Sequence, residues 1–238
     1  MLKNIFKKKD NVDLGLDLKP GDNHYRAYVG PPKDYDLVSA MVFNLLTCTG
    51  LRQDHKVLDV GCGSLRNGRL LIPYLNNGNY FGVDPNKWLI DDGIKNEIGE
   101  DLVQIKKPTF SYSDSLKDFK QPLGIDYAFA QSIFSHTGLD LLEKWLSEVS
   151  YHLKEDGVLF ATFLIDDKDS QEAGWVYPGC VKFIPDTVFQ IASKHGLHFQ
   201  LLNWFHPRQS WAAFYKEGFD TTLIKDNDIS WKRFGENC

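Results

Sequence analysis

Between residues 56 and 164 the chain alternates short apolar runs with stretches whose apolar residues recur at helical spacing. No other feature restricts its fold as strongly. Residues 56–60 form a short apolar run stopped by Gly61, and residues 65–75 follow at helical spacing, interrupted by Pro73 and ended by Asn76-Asn77-Gly78. Residues 80–83 read as a second strand, 88–98 as a helix, 109–112 as a short third strand and 125–130 as a buried fourth. A helix over 139–153 leads through Glu155-Asp156-Gly157 into a fifth strand at 158–164. A helix over 187–195 precedes a closing antiparallel pair, 197–205 with 211–215. Such alternation predicts βαβ units with right-handed crossovers, hence an α/β fold with a mostly parallel sheet. Ligands of such sheets bind beyond the carboxyl ends of the strands, so the loops there are where chemistry is expected.

Upstream, residues 10–33 are polar and rich in Gly and Pro, with Tyr25, Tyr28 and Tyr35 crowded around Gly30-Pro31-Pro32. Asp34 or Asp36 is placed to cap a helix carrying Val38, Met41, Val42, Leu45 and Leu46, which Gly50 ends. The expected organisation is an irregular extension over 1–33 that can cover the site, followed by one domain over 34–238. A formal net charge of −5, with no basic stripe, disfavours a nucleic-acid partner. The basic cluster Lys7-Lys8-Lys9 lies in a short segment, residues 1–10, without the apolar core of a signal peptide, and reads as a solvated tail. No stretch approaches the roughly 20 apolar residues of a membrane span, and a cytoplasmic location is expected. Cys48, Cys62, Cys180 and Cys238 show no metal-ligand spacing and read as reduced thiols; no metal is expected.

The first loop reads Asp59-Val60-Gly61-Cys62-Gly63-Ser64-Leu65-Arg66-Asn67-Gly68. Its glycines allow a sharp turn and close approach to a ligand, but a GxG alone indicates only some nucleotide-like molecule. Asp59, ahead of the glycines, suits a ligand with a positive amino group and would repel a pyrophosphate. Asp84, at the end of the second strand, can accept hydrogen bonds from ribose hydroxyls. That pairing favours a nucleoside with an amino-acid tail over a nicotinamide dinucleotide, the alternative being an NAD(P)-dependent oxidoreductase.

Residues 57–63 resemble motif I of class I S-adenosylmethionine-dependent methyltransferases, and Phe81-Gly82-Val83-Asp84 resembles their ribose-binding motif. Residues 126–132 are similar to the fourth-strand motif and residues 153–159 to the run before the fifth strand. The resemblance implies a Rossmann-like seven-stranded sheet with helices on both faces and an antiparallel last strand. It also implies S-adenosylmethionine as cofactor and S-adenosylhomocysteine as product. Carried over residue by residue, it implies cofactor contacts from Asp59, Gly61, Cys62, Gly63, Arg66 and Asp84, with Pro85 or Asn86 beside the adenosine. Asp114 would take the adenine edge, and Gln131 and Ser132 would line the cleft. Leu65 stands where many relatives have a third glycine.

A hydroxyl acceptor requires a base, and His is the usual one. His136, just past the fourth strand, and His206, in His206-Pro207-Arg208-Gln209-Ser210-Trp211, are the two candidates; His136 alternatively only shapes the cofactor loop. Arg208 suits an acidic or polyol acceptor. Trp175 and Tyr177, after the fifth strand, either stack on a sugar or aromatic acceptor or pack against Tyr25, Tyr28 and Tyr35. Asp166, Asp167 and Asp169 read as a solvated acidic loop, a divalent-cation site being the competing reading. The expected function is O-methylation of a small-molecule or carbohydrate acceptor. A non-catalytic cofactor-binding protein is a further alternative.

Overall fold

The computed structural model describes residues 13–225. The lysine cluster, the rest of residues 1–10 and Cys238 lie outside the described residues. Seven strands form one sheet: β1 (Val57–Val60), β2 (Tyr80–Val83), β3 (Thr109–Ser111), β4 (Ile125–Ala130), β5 (Leu153–Phe163), β6 (His198–Leu202) and β7 (Ser210–Tyr215). Their spatial order is β3-β2-β1-β4-β5-β7-β6. β1 to β5 run parallel, and β7 is antiparallel to both β5 and β6. The chain proceeds outward from β1 to β3, then returns to pair β4 with β1. That reversal opens a crevice at the strand ends, where open α/β sheets bind ligands.

The strands read as continuous apolar runs because both faces of the sheet are covered. Val57, Tyr127, Phe129, Val158 and Phe160 face one core, filled by α2 (Tyr35–Cys48), α3 (Gly68–Tyr74) and Ile90 of α4 (Lys87–Gly93). Their neighbours Leu58, Ala128, Ala130, Leu159 and Ala161 face the other, under α6 (Leu139–His152) and α7 (Pro185–Lys194). The alternation is the strand period of two, expressed on two buried faces.

Several boundaries differ from expectation. α3 starts at Gly68 rather than residue 65, because Leu65 lies in the left-handed region (φ 59°) and cannot begin a right-handed helix. α4 continues into a π-helical turn, Ile94–Ile98, and a separate α5 (Glu100–Lys106) follows. β5 begins at Leu153, so Glu155-Asp156-Gly157 lies within the strand, where the register against β4 shifts, rather than in a turn before it. Neither Asp34 nor Asp36 caps α2: Asp34 pairs with Arg208 (2.5 Å), and Asp36 with Arg69 (2.7 Å) and Arg26 (3.5 Å).

The segment before α2 crosses the carboxyl ends of the strands. It contains α1 (Tyr25–Tyr28), fixed by an ion-pair cluster in which Arg26 bonds Glu97 of the π-helical turn at 2.7 Å and stacks on the ring of Tyr35. The cluster joins four separate chain segments beside the crevice. Among the described residues, no helix is long and apolar enough to cross a membrane.

Candidate active site

A cavity of about 360 Å³ lies where β1, β2, β4 and β5 end, roofed by residues around Tyr28–Pro31. Its floor is the turn after β1. Gly61 (φ 71°), Gly63 (φ 50°) and Leu65 (φ 59°) alternate in the left-handed region. Close approach also excludes side chains here: a Cβ on Gly61 would meet Ile133 at 2.0 Å, and one on Gly63 would meet Val29 at 2.7 Å. Leu65 adopts the conformation of the third glycine it replaces, with its side chain fully buried in the α2/α3 core. Packing thus holds a backbone that is unfavourable for leucine.

The turn is tied to β2. Gly61 and Cys62 donate their N–H groups to the Val83 carbonyl at 2.8 and 3.1 Å. Gly63 donates to Asp84 Oδ2 at 3.0 Å, while Asp84 Oδ1 accepts from the backbone and side-chain nitrogens of Asn86. Three of the carboxylate's roughly four acceptor positions are therefore used. The fourth is unused among the described residues, and Asp84 lines the cavity. Burial raises the Asp84 pKa, against the opposing effect of these hydrogen bonds.

Asp59 sits behind the turn, not on the cavity wall. Its Oδ2 accepts from the Tyr80 hydroxyl at 2.7 Å, and burial pushes its pKa up to about 7. A carboxyl raised in the folded state destabilises the fold as pH climbs above its unfolded value of 3.8, and that penalty is complete above about 7. Asp59→Asn keeps an acceptor for Tyr80 and removes the charge. It is expected to raise the melting temperature by a few degrees above pH 7 and by nothing below pH 3.8. An equal shift at both would show that the ionisation of Asp59 carries no such cost.

Arg66 crosses the cavity wall almost fully buried, and burial lowers its pKa to about 10. One terminal nitrogen donates to the Val29 carbonyl (2.9 Å) and the other to Gln131 Oε1; among the described residues Nε has no partner and no carboxylate pairs with the group. After β4, Ser132 is held at φ 59° with its N–H on Thr162 Oγ1 (2.7 Å). Its hydroxyl oxygen receives the amides of Gln131 (2.6 Å) and Gln209 (3.0 Å).

His136 is 8% exposed and lines the cavity. Its Nδ1 lies 2.6 Å from the Gly179 carbonyl, and since a carbonyl only accepts, Nδ1 carries the proton. Nε2 therefore keeps its lone pair, and burial holds the ring below the usual histidine pKa, hence neutral. The loop after β5 is stitched to the same turn: Val176 N–H bonds the His136 carbonyl and Val181 N–H the Ser135 carbonyl, both at 2.9 Å. That places Tyr177 at 4.9 Å and Trp175 at 5.7 Å from the His136 ring, centroid to centroid. Tyr177 also packs on Tyr28 and donates to its carbonyl at 2.5 Å, which is the packing expected of this loop.

His206 is not on the cavity wall but lies behind it, beside Gln131. Its Nδ1 accepts from the N–H groups of Arg208 (3.1 Å) and Gln209 (2.9 Å), and Nε2 faces Gln131. Burial, with Arg208 and Arg66 nearby, pushes its pKa down to about 3.

The cavity thus brings together Gly61, Gly63, Arg66, Asp84, Asn86, Gln131, Ser132, His136, Tyr28, Trp175, Tyr177 and Arg208. It does not bring in Asp114, which is exposed and paired with Lys144 of α6 because Glu148 draws the turn after β3 towards that helix. Cys62 is buried under the turn, Pro85 is off the wall, and Tyr25 packs on Tyr35 and Arg26. Val29, Ile133, Leu164 and Gln209 also line the cavity and were not anticipated. Val29, Ile133 and Gln209 each adjoin a residue that was. In the acidic loop, Asp166 pairs with Lys182 (2.6 Å) and Asp169 bonds Ile184 N–H and Thr187 at the start of α7.

Comparison with known proteins agrees with this geometry. The family described as "Methyltransferase domain" matches residues 58–159, from β1 into β5. Residues 58–159 therefore carry a methyltransferase domain. The fold of this chain is similar to that of magnesium protoporphyrin IX methyltransferase (ChlM) from Synechocystis PCC 6803 with bound SAM. The TM-score is 0.60 at 13% identity, over 86% of this chain and 88% of that one. It is also similar to precorrin-6y C5,15-methyltransferase from Geobacter metallireducens GS-15 (TM-score 0.52, 16% identity, 76% and 89% covered). A third similar structure is the DhpI–SAH complex (TM-score 0.54, 18% identity, 81% and 93% covered). The nicotinamide alternative gains no support from these matches. The residues present fit the cofactor: a glycine turn too tight for side chains, a carboxylate with one acceptor position spare, and a buried guanidinium that has an orphaned Nε and no carboxylate of its own.

Proposed function

We propose that this chain is a class I S-adenosylmethionine-dependent methyltransferase that transfers a methyl group to a hydroxyl oxygen of a small acceptor, with His136 as the base. Asp84 would hold the ribose, Arg66 the carboxylate of the amino-acid tail, and Asn86 the adenosine side. Bound there, S-adenosylmethionine supplies a methyl group on a positively charged sulfur, and its loss leaves a neutral thioether.

The chain's own task is then to orient the acceptor, exclude water and remove the hydroxyl proton as oxygen bonds to carbon. The observation that carries the reading is the tautomer of His136. Its Nδ1–H is engaged by the Gly179 carbonyl, and the basic Nε2 is left without a partner among the described residues. His206 is a weaker candidate. Its Nδ1 lone pair already accepts two backbone N–H groups, and two guanidinium groups oppose its protonation. Its role is to shape the loop that presents Arg208 and Gln209. Trp175 and Tyr177 would flank the acceptor, a small molecule or carbohydrate ring.

The test is incubation with methyl-labelled cofactor and a mixed panel of phenols, hydroxy acids, sugars, amines and thiols, with the labelled atom located by fragmentation mass spectrometry. Label on oxygen is expected; label confined to nitrogen or sulfur overturns the reading.

A further inference from the structure

The acceptor half of the cavity carries a charge imbalance. Its ionisable lining groups are Arg66, Arg208, Asp84, His136, Tyr28, Tyr177 and Cys180. Burial keeps the His136 imidazole neutral and the Tyr177 phenol protonated. Asp84 is committed to Gly63 and Asn86, and Arg66 to Val29 and Gln131. Just outside, Asp34 offsets part of the Arg208 charge. The cofactor itself adds one net positive charge, since its sulfonium and amino group outweigh its carboxylate. The loaded site is therefore cationic and repels a protonated amine. It attracts an anion.

The guanidinium of Arg208 is arranged to receive that anion. Only one terminal nitrogen is engaged, by Asp34 at 2.5 Å, and no other side-chain donor of Arg208 has a partner among the described residues. The group is partly exposed at the cavity mouth. Its neighbour Gln209 and the two rings of the loop after β5 complete that half of the wall. A guanidinium presents five donors in a planar fork, so one occupied corner leaves an edge that can grip two oxygens at once.

We infer that the acceptor bears an oxyanion, a carboxylate or a phosphate, which Arg208 grips through the edge that Asp34 leaves free while the hydroxyl to be methylated faces His136. The inference rests on the proposed O-methyl transfer but concerns a different part of the acceptor. Asp34 is then a competing internal anion as well as an anchor. Relieving it frees the whole fork.

The test uses the full chain saturated with S-adenosylhomocysteine, whose uncharged sulfur leaves Arg208 as the cation being probed, and titrated calorimetrically with 4-hydroxybenzoate, phenyl phosphate and the uncharged 4-hydroxybenzamide. At least one oxyanion probe is expected to bind about tenfold or more tightly than the amide, equivalent to about 1.4 kcal/mol. Whichever binds better identifies the anion as carboxylate or phosphate. Arg208→Gln should abolish that preference and leave S-adenosylhomocysteine affinity unchanged, whereas Asp34→Asn should strengthen it. A purely structural ion pair predicts that both substitutions act in the same direction. The inference is overturned if the amide binds as well as both anions, or if no oxyanion probe binds at millimolar concentration. It is equally overturned if Asp34→Asn weakens anion binding as Arg208→Gln does. Failure of S-adenosylhomocysteine to bind would instead strike at the cofactor assignments, and label on nitrogen in the transfer assay at the proposed O-methylation.

Discussion

His136→Ala is expected to lower turnover by about 10²–10⁴-fold, the usual range for a general base, while leaving S-adenosylhomocysteine affinity within a factor of about two. The prediction follows from the Nδ1–H bond to Gly179, which makes Nε2 the only proton acceptor this ring can offer. Alanine also cuts the link to the loop that carries Trp175 and Tyr177, so a second substitution separates the two consequences. His136→Gln retains an N–H that can reach the Gly179 carbonyl but has no group basic enough to take a proton. Turnover should fall in both variants if the ring is the base, and only in the alanine variant if the ring merely anchors the loop. The pH profile gives an independent readout. A base must be neutral to act, and burial holds this ring below the ordinary value of 6.5. In the wild type the acid limb of kcat should therefore fall below pH 6.5, with a plateau through neutrality, and the limb should vanish in His136→Gln. A limb that survives unchanged would assign the titration to another group.

Much of the fold was legible because its signals are local. Each parallel strand shows as a short apolar run, since both faces of the sheet are buried, and each is stopped by a turn residue. The order of β7 and β6 at the edge was not legible: the sequence shows an antiparallel pair but not which member joins β5. The π-helical turn at Ile94–Ile98 was hidden for another reason. Its apolar spacing continues that of α4, and what it changes is the direction of Glu97, which it turns towards Arg26. Leu65 is the instructive exception. It stands where many relatives have a third glycine, and burial of its side chain holds a left-handed backbone there.

The site divides along the same line. Gly61, Gly63, Asp84, Gln131 and Ser132 lie at strand ends and follow from strand position alone. Arg66 and Arg208 were named from the sequence as well, but their orientation is set by distant contacts. Arg66 is oriented by the carbonyl of Val29 and by Gln131, and Arg208 by Asp34, 174 residues away in sequence. Asp59 was expected near the amino group of the cofactor and instead lies behind the turn with Tyr80, because its position one residue inside β1 points it into the α2/α3 side of the sheet. Asp114 failed for want of structure after β3, where Glu148 rather than the sheet decides the path of the chain.

Asp84→Ala is expected to weaken S-adenosylhomocysteine binding by at least tenfold and by up to about a hundredfold. Two effects combine. The ribose loses a charge-assisted acceptor, worth about 1.5–3 kcal/mol, and the glycine turn loses the bond from Gly63 that fixes its shape. Asp84→Asn distinguishes them. Its amide oxygen can still accept from Gly63, so the turn is retained, whereas the acceptor offered to the ligand loses its charge. An intermediate loss with an unchanged melting temperature would assign most of the effect to the ribose contact. A loss as large as that of alanine, with a lowered melting temperature, would assign it to the turn. The pH dependence has a definite sign. Burial raises the Asp84 pKa above 3.8, and only the ionised carboxylate offers its full set of acceptors. Wild-type affinity should therefore begin to fall at a pH above that of an exposed aspartate, and that decline should be absent in Asp84→Asn. Wild-type affinity in Asp84→Ala would remove Asp84 from the site altogether, and with it the feature that ties the glycine turn to a nucleoside rather than to any small anion.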